Sequence, residues 1–194
     1  RNLNLVLQIL EVDRNVIVCV NLIDEAEKKK IKIDLDELSL LLGVPVVGTD
    51  ARTKRGLRNL LDVAGDVISG KKVTYRNAIT YSEVLEKAIS IVKPAVESVV
   101  DGRADARWLS LRLLDYDDTL EKSIKRYLNV DLANNSIIYE KIKEAEELLS
   151  ENGVYKDDIR DLIVGAIVER ASYIYGKCVT LEVEEYNEKD RKLD

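Results

Sequence analysis

The stretch Val16-Ile17-Val18-Cys19-Val20-Asn21-Leu22-Ile23-Asp24 decides the fold. Its apolar start, rich in β-branched Val and Ile, predicts a strand buried on both faces, as in a parallel α/β sheet. The run stops at Asn21, and an N-x-x-D quartet follows where strand gives way to helix. Ligands of open α/β sheets sit beyond the carboxyl ends of the strands. Asn21 and Asp24 therefore stand where a base can be read.

The residue types favour guanine. An ionised Asp24 can accept from the ring N–H and the exocyclic amino group of guanine together. Adenine has a lone pair at that ring nitrogen and no amino group beside it, so each stranded polar group would cost about 1–3 kcal/mol. Asn21, with one acceptor and two donors, can bond the purine edge and pin the loop. Taken alone the quartet is a weak signal, because Asn21 as a turn residue and Asp24 as the cap of a helix Asp24–Lys30 account for it too.

Outward from this stretch, Leu3, Leu5, Val6, Ile9 and Leu10 recur at helical spacing, predicting an amphipathic helix over 2–12 that leads into the strand. A short helix is expected at Leu35–Leu42, capped by Asp34 and stopped by Gly43. Val44-Pro45-Val46-Val47 reads as a second buried strand, followed by the polar loop 48–56 and an apolar helix Leu57–Ile68. Right-handed crossovers would set the two strands side by side, with both strand-end loops at one edge. Ala51 is small enough for a close ligand, its N–H placed to donate to the guanine carbonyl oxygen. Arg52 can flank the base or pair with an acidic neighbour. N-x-x-D together with T-x-A-R at Thr49–Arg52 is far more specific than either alone. The guanine-binding set is thus Asn21, Leu22, Ile23 and Asp24 with Thr49, Asp50, Ala51 and Arg52.

Asn21–Glu27, Ile31–Asp34 and Leu41–Val47 resemble the guanine-specificity half of the cytosolic region of the ferrous iron transport protein B family. Arg1-Asn2-Leu3 is similar to the segment before that family's base-reading strand. The likeness continues through Arg107–Leu114 and Ile167–Ala171, so it spans nearly the whole chain. The resemblance implies a small GTPase domain and a helical domain on the cytoplasmic face of the inner membrane. A polytopic domain that moves Fe²⁺ would follow, making this stretch a soluble part of an integral membrane protein. Leu22 departs from the Lys of most GTPases, so it can cover the base by apolar contact only. Asp50 stands where Ser is common and brings a second negative charge near the base loop, expected to weaken binding. No segment matches G-x-x-x-x-G-K-[ST] or the Mg²⁺-holding switches, so GTP hydrolysis by this chain alone is not expected and no catalytic residue is assigned. GTP or GDP is the implied ligand, with Mg²⁺ only alongside a missing N-terminal half of the GTPase domain.

The fold class expected is α/β, a partial P-loop GTPase-like parallel sheet, followed by an all-α bundle. The segments are 1–72 for the C-terminal part of the GTPase domain, 73–180 for the helical regulatory domain, and 181–194 for a charged linker toward the membrane domain. In the bundle, Thr80-x-x-Glu83 reads as a capping box opening a helix with Leu85, Ala88, Ile89, Val92, Val96 and Val99 on one face. Pro94 should kink or break that helix. Ala106–Leu114 follows, with Trp108 as core. Asp118-x-x-Glu121 opens a short helix to Leu128, Asn135 or Ser136 a longer one to Ser150, and Asp157 the last, stopping at Gly176.

Composition sets limits on function. The 194 residues carry a net charge of −6, which argues against nucleic acid as a partner. There is no His, which removes His-based triads and most zinc sites, and the acidic clusters Glu140, Glu144, Glu147 and Glu182, Glu184, Glu185 read as solvated faces. Cys19 and Cys178, too few for a disulfide framework, read as small core residues in a reducing compartment. The absence of Met suggests an internal piece of a longer protein. Two short strands make a poor sheet, so the missing half or a second chain is expected to cover it, with homo-oligomerisation left open. Two alternatives remain: a ribosome-assembly type of GTPase with an accessory domain, and a helical interaction module that binds no nucleotide.

Overall fold

The computed structural model describes residues 2–13, 15–75, 77, 79–115, 123–127, 132 and 134–181. They fall into two compact units, Arg1–Arg14 with Arg76–Ala171, and Asn15–Tyr75 with Ser172–Asp194. The segmentation read from the sequence follows the chain, whereas packing groups the first helix with the helical part and the final strand with the α/β part.

In the α/β unit, β1 (Val18–Val20) runs parallel to β3 (Val46–Gly48), with Val20 opposite Gly48. Between them lie α2 (Ile23–Lys28), β2 (Ile31–Ile33) and α3 (Leu35–Leu42). Asp34 caps α3 by accepting from the Glu37 N–H at 2.9 Å, and Gly43 ends it in the left-handed region at φ 74°. That conformation costs glycine nothing, so the expected stop holds. After the loop 49–56, α4 (Leu57–Ile68) has the expected bounds but no buried residue; Leu61 and Ile68 are exposed.

Two expectations fail here. β1 is shorter than the apolar run and only half-covered, and Cys19 is exposed rather than core. A two-stranded sheet flanks each strand on one side only, which leaves such residues uncovered. One pairing was also unforeseen: β4 (Val179–Leu181) lies antiparallel to β2, with Ile31 opposite Leu181. The Asp34 N–H donates to the Cys178 carbonyl at 2.8 Å at the end of this ladder.

The helical unit holds α1 (Asn2–Val12), α5 (Glu83–Val100), α6 (Ala106–Leu114), α7 (Ser136–Glu151) and most of α8 (Lys156–Cys178), with residues 123–127 also helical. Its core is the apolar stripe of α5, with Leu85, Ala88, Ile89, Val92 and Val96 as expected and Ala95 and Val100 in place of Val99, packed on α6 and α7. On α8 Ile159, Ile163, Ile167, Ala171 and Ile174 are buried. Asn135 caps α7 through the N–H groups of Ile137 and Ile138, both at 3.1 Å. Asp105 does the same for α6 at Trp108 N–H, at 2.7 Å.

Four readings are corrected. The Thr80–Glu83 box is not formed: α5 starts after Ser82, and Glu86 reaches back to accept from the Tyr81 N–H at 2.9 Å. Pro94 does not break α5, because it lies on the exposed face, where water can satisfy the carbonyl it leaves without a donor. Trp108 is half-buried rather than core. Helix α8 runs past Gly176 to Cys178. Residues 123–127 are helical within the expected Asp118–Leu128 helix; the rest of that expectation and the linker beyond Leu181 lie outside the described residues.

Candidate functional site

Parallel pairing of β1 with β3 brings the two strand-end turns together. Because Val20 faces Gly48, Asn21 and Thr49 leave the sheet side by side, and the Thr49 N–H donates to the Val20 carbonyl at 2.8 Å. The Ile23 N–H returns a bond to the Thr49 carbonyl at 3.2 Å. Leu22, between them, sits in the left-handed region at φ 63° with its side chain exposed, which turns the chain from strand into α2. Asn21 Oδ1 accepts from the Thr49 hydroxyl at 3.2 Å and from the Ala51 N–H at 3.1 Å. It therefore pins the second loop as expected. The Ala51 N–H, expected to face a purine carbonyl, is directed at Asn21.

Asp24 lies in the first turn of α2 rather than at its cap, with a side chain that is 17% exposed. Its Oδ2 accepts from Lys28 Nζ at 3.2 Å and from Arg52 Nη2 at 3.3 Å. Its Oδ1 is buried and has no hydrogen-bond partner among the described residues. Burial is the largest influence on this carboxyl and pushes its pKa up, as does the charge of Asp50. Lys28 and Arg52 outweigh both and hold it below the ordinary value. The group is therefore ionised at neutral pH, with one oxygen in need of a donor. A ring N–H with a neighbouring amino group is the kind of donor that such an oxygen lacks.

Asp50 is 1% exposed. Its Oδ1 accepts from the N–H groups of Arg52 and Thr53 at 3.0 and 3.4 Å, and its Oδ2 from the Thr53 hydroxyl. The Thr53 hydroxyl is the main cause of its lowered pKa, followed, among the stabilising contacts, by the two backbone donors. The Asp50 N–H donates to the Arg55 carbonyl at 3.0 Å, closing a bridge across the loop. Gly56 then reverses the chain at φ 80°, where a side chain would strike the Gly48 carbonyl. Arg55 makes two bonds of 3.0 Å to the Glu27 carboxylate, which ties the loop to α2.

The structure thus gathers Asn21, Leu22, Ile23, Asp24, Thr49, Ala51 and Arg52 at one edge, while Asp50 faces its own loop. Sequence reasoning missed Lys28, Thr53 and Arg55. The Asp24–Lys28 spacing of one helical turn was a signal for the first. Cys19 Sγ lies 3.1 Å from the Thr49 hydroxyl, a contact that no local pattern announces.

Residues 1–64 match the family described as ferrous iron transport protein B, and residues 81–180 match the FeoB cytosolic helical domain. An Fe(2+) transport protein A/Fe(2+) transporter FeoB fusion protein of Porphyromonas gingivalis is 28% identical over 196 residues, covering 95% of this chain and 23% of that protein. The Fe(2+) transporter FeoB of Salmonella typhimurium is 33% identical over 123 residues, covering 60% of this chain and 15% of the relative. The chain thus spans less than a quarter of the length of these relatives. The cytosolic domain of the T. maritima FeoB iron transporter in its GMPPNP form superposes with a TM-score of 0.63 at 28% identity, over 92% of this chain and 62% of that one. A GDP-bound NFeoB variant of S. thermophilus gives a TM-score of 0.72 at 20% identity, over 92% of this chain and 64% of that one, a likeness of fold.

Proposed function

The chain belongs to the ferrous iron transport protein B family, and on that premise we propose that it is the guanine-reading and regulatory part of a GTP-dependent ferrous iron transporter. The observation that carries the reading is the buried, partnerless Oδ1 of Asp24, set beside Asn21 and the 49–52 loop. Asp24 would accept from the ring N–H and amino group of guanine. Asn21 would hold the purine edge and the loop, and Leu22, Ile23, Thr49, Ala51 and Arg52 would enclose the base. The T. maritima relative in its GMPPNP form supports the same ligand class. Hydrolysis would need a phosphate loop and Mg²⁺-holding segments, which none of these residues matches.

In this reading residues 1–72 are the C-terminal half of the GTPase domain, 73–180 the helical regulatory domain and 181–194 the lead into a membrane transport domain on the cytoplasmic face. The remaining half of the GTPase domain would cover the open edges of β1 and β3 and the bare apolar face of α4. No helix among the described residues is long and apolar enough to cross a membrane. Nucleotide state would alter the 49–52 loop and α4, and the bundle would pass that change to the transport domain. Within the α/β unit, α2 leads directly into β2, which carries β4, the last described strand.

Titrating the full-length protein with GDP and ADP tests the base site. A preference for GDP is expected, and equal affinity for the two would overturn the reading. Asp24→Asn should lose that preference and gain affinity for xanthosine diphosphate, whose carbonyl can accept from the new amide. An unchanged profile would remove Asp24 from the site.

A further inference from the structure

We propose that Asp50 is a positioning residue for base recognition, its buried carboxylate folding the 49–53 turn that presents Ala51 and Arg52 to the pocket. The inference rests on the guanine-site reading. It adds a positioning role to the expectation that a second negative charge weakens binding.

Asp50 is 1% exposed in a loop whose following residues are exposed, so its side chain points into the turn. Its carboxylate accepts from donors within that turn: the Arg52 and Thr53 N–H groups and the Thr53 hydroxyl. An aspartate that accepts from the backbone two and three residues ahead fixes the local dihedrals. Two contacts then follow from the turn. The Ala51 N–H reaches Asn21 Oδ1 at 3.1 Å, and Arg52 Nη2 reaches Asp24 Oδ2 at 3.3 Å. One carboxylate thus sets both links between the second loop and the base-reading quartet. The Asp50–Arg55 backbone bridge holds the other end of the loop.

The charge acts separately from the shape. Lys28 and Glu25 of α2 and Asp50, Arg52 and Arg55 of the loop surround Asp24, and Asp50 raises its pKa. Asp24 must be ionised to accept from guanine. Binding is therefore lost as pH falls through the Asp24 pKa, and removing the Asp50 charge should carry that loss to lower pH.

Asparagine keeps the shape and drops the charge, since its oxygen still accepts from both N–H groups and its amide can donate to the Thr53 hydroxyl. Alanine drops both. GDP and ADP titrations of the full-length protein, wild type, Asp50→Ala, Asp50→Asn and Thr53→Val, across pH, separate the two effects. Asp50→Ala should weaken GDP binding about tenfold, the worth of one charge-assisted hydrogen bond, and leave ADP unchanged. Thr53→Val should fall between it and wild type. Asp50→Asn should recover most of the affinity and bind GDP to lower pH than wild type. GDP binding by Asp50→Ala at wild-type strength would overturn the inference. So would an Asp50→Asn variant as weak as Asp50→Ala with an unmoved acid limit. If wild type itself fails to prefer GDP over ADP, the guanine reading falls first, and this inference falls with it.

Discussion

Replacing Arg107 with methionine should destabilise the helical unit by about 3 kcal/mol, the lower end of the range for breaking a buried ion pair. Arg107 Nη1 donates to Glu11 Oε1 at 3.2 Å, and Nη2 donates to the Ile79 carbonyl at 2.9 Å and to Glu86 Oε1 at 2.6 Å. The other oxygen of Glu11 accepts from the Tyr81 hydroxyl at 2.7 Å, and the guanidinium carbon lies 5.3 Å from the Tyr81 ring centre. This cluster joins α1, the 79–81 segment, α5 and α6. The Glu11 side chain is 2% exposed and that of Arg107 17%. Methionine fills similar volume but takes the Arg107 cation away from the buried Glu11 carboxylate. The residual exposure of Arg107 sets the low end of the range, since nearby water softens the loss. Adding Glu11→Leu removes the stranded charge and should recover most of the stability, because an apolar replacement of a whole buried pair is often neutral or better. Urea unfolding followed by Trp108 fluorescence is the natural assay, as Trp108 adjoins Arg107 in α6. A single variant within about 1 kcal/mol of wild type, or a double variant less stable than the single, would refute the reasoning.

Gly56→Ala should cost the α/β unit more than about 1–2 kcal/mol, because a left-handed backbone and a clash with the Gly48 carbonyl act together; normal thermal unfolding of that variant would contradict the geometry. Iodoacetamide at mild alkaline pH should modify exposed Cys19 quickly and Cys178 only on unfolding, since burial first, then the charges of Glu37 and Asp34, push the Cys178 thiol up; equal rates by mass spectrometry would disprove it. Burial first, then the Glu11 charge, raise the Tyr81 hydroxyl above its ordinary value of 10.0. Folded and unfolded chains are both protonated there below that pH, so its contribution is full below it and lost above it, as the unfolded tyrosine ionises first. Base titration should accordingly show Tyr81→Phe losing less stability than wild type above pH 10.0, and identical slopes would exclude this.

Much of the site was legible because its logic is local or carried by a strong motif. Asn21 and Asp24 at one strand end and Thr49 and Ala51 at the other were brought together by the parallel crossover that the strand–helix–strand order demands. The caps at Asp34 and Asn135 and the stop at Gly43 were equally readable, since each is settled by hydrogen bonds spanning only a few residues. That the Asp50 side chain faces its own loop was not legible, because charge is visible in a sequence and the direction of a side chain is not.

The sequence by itself determined most of the helices, the caps at Asp34 and Asn135, the stop at Gly43 and the Asn21–Asp24 quartet, for their energies lie between residues a turn apart. Tertiary structure alone decided that β4 pairs with β2, that Glu11 meets Tyr81 and Arg107, and that Cys19 is exposed. Strands of three residues carry no period to read, and a buried ion pair between α1 and α6 leaves no mark on either helix alone. Such contacts exist only once distant segments share a surface, and their free energy appears there and nowhere earlier.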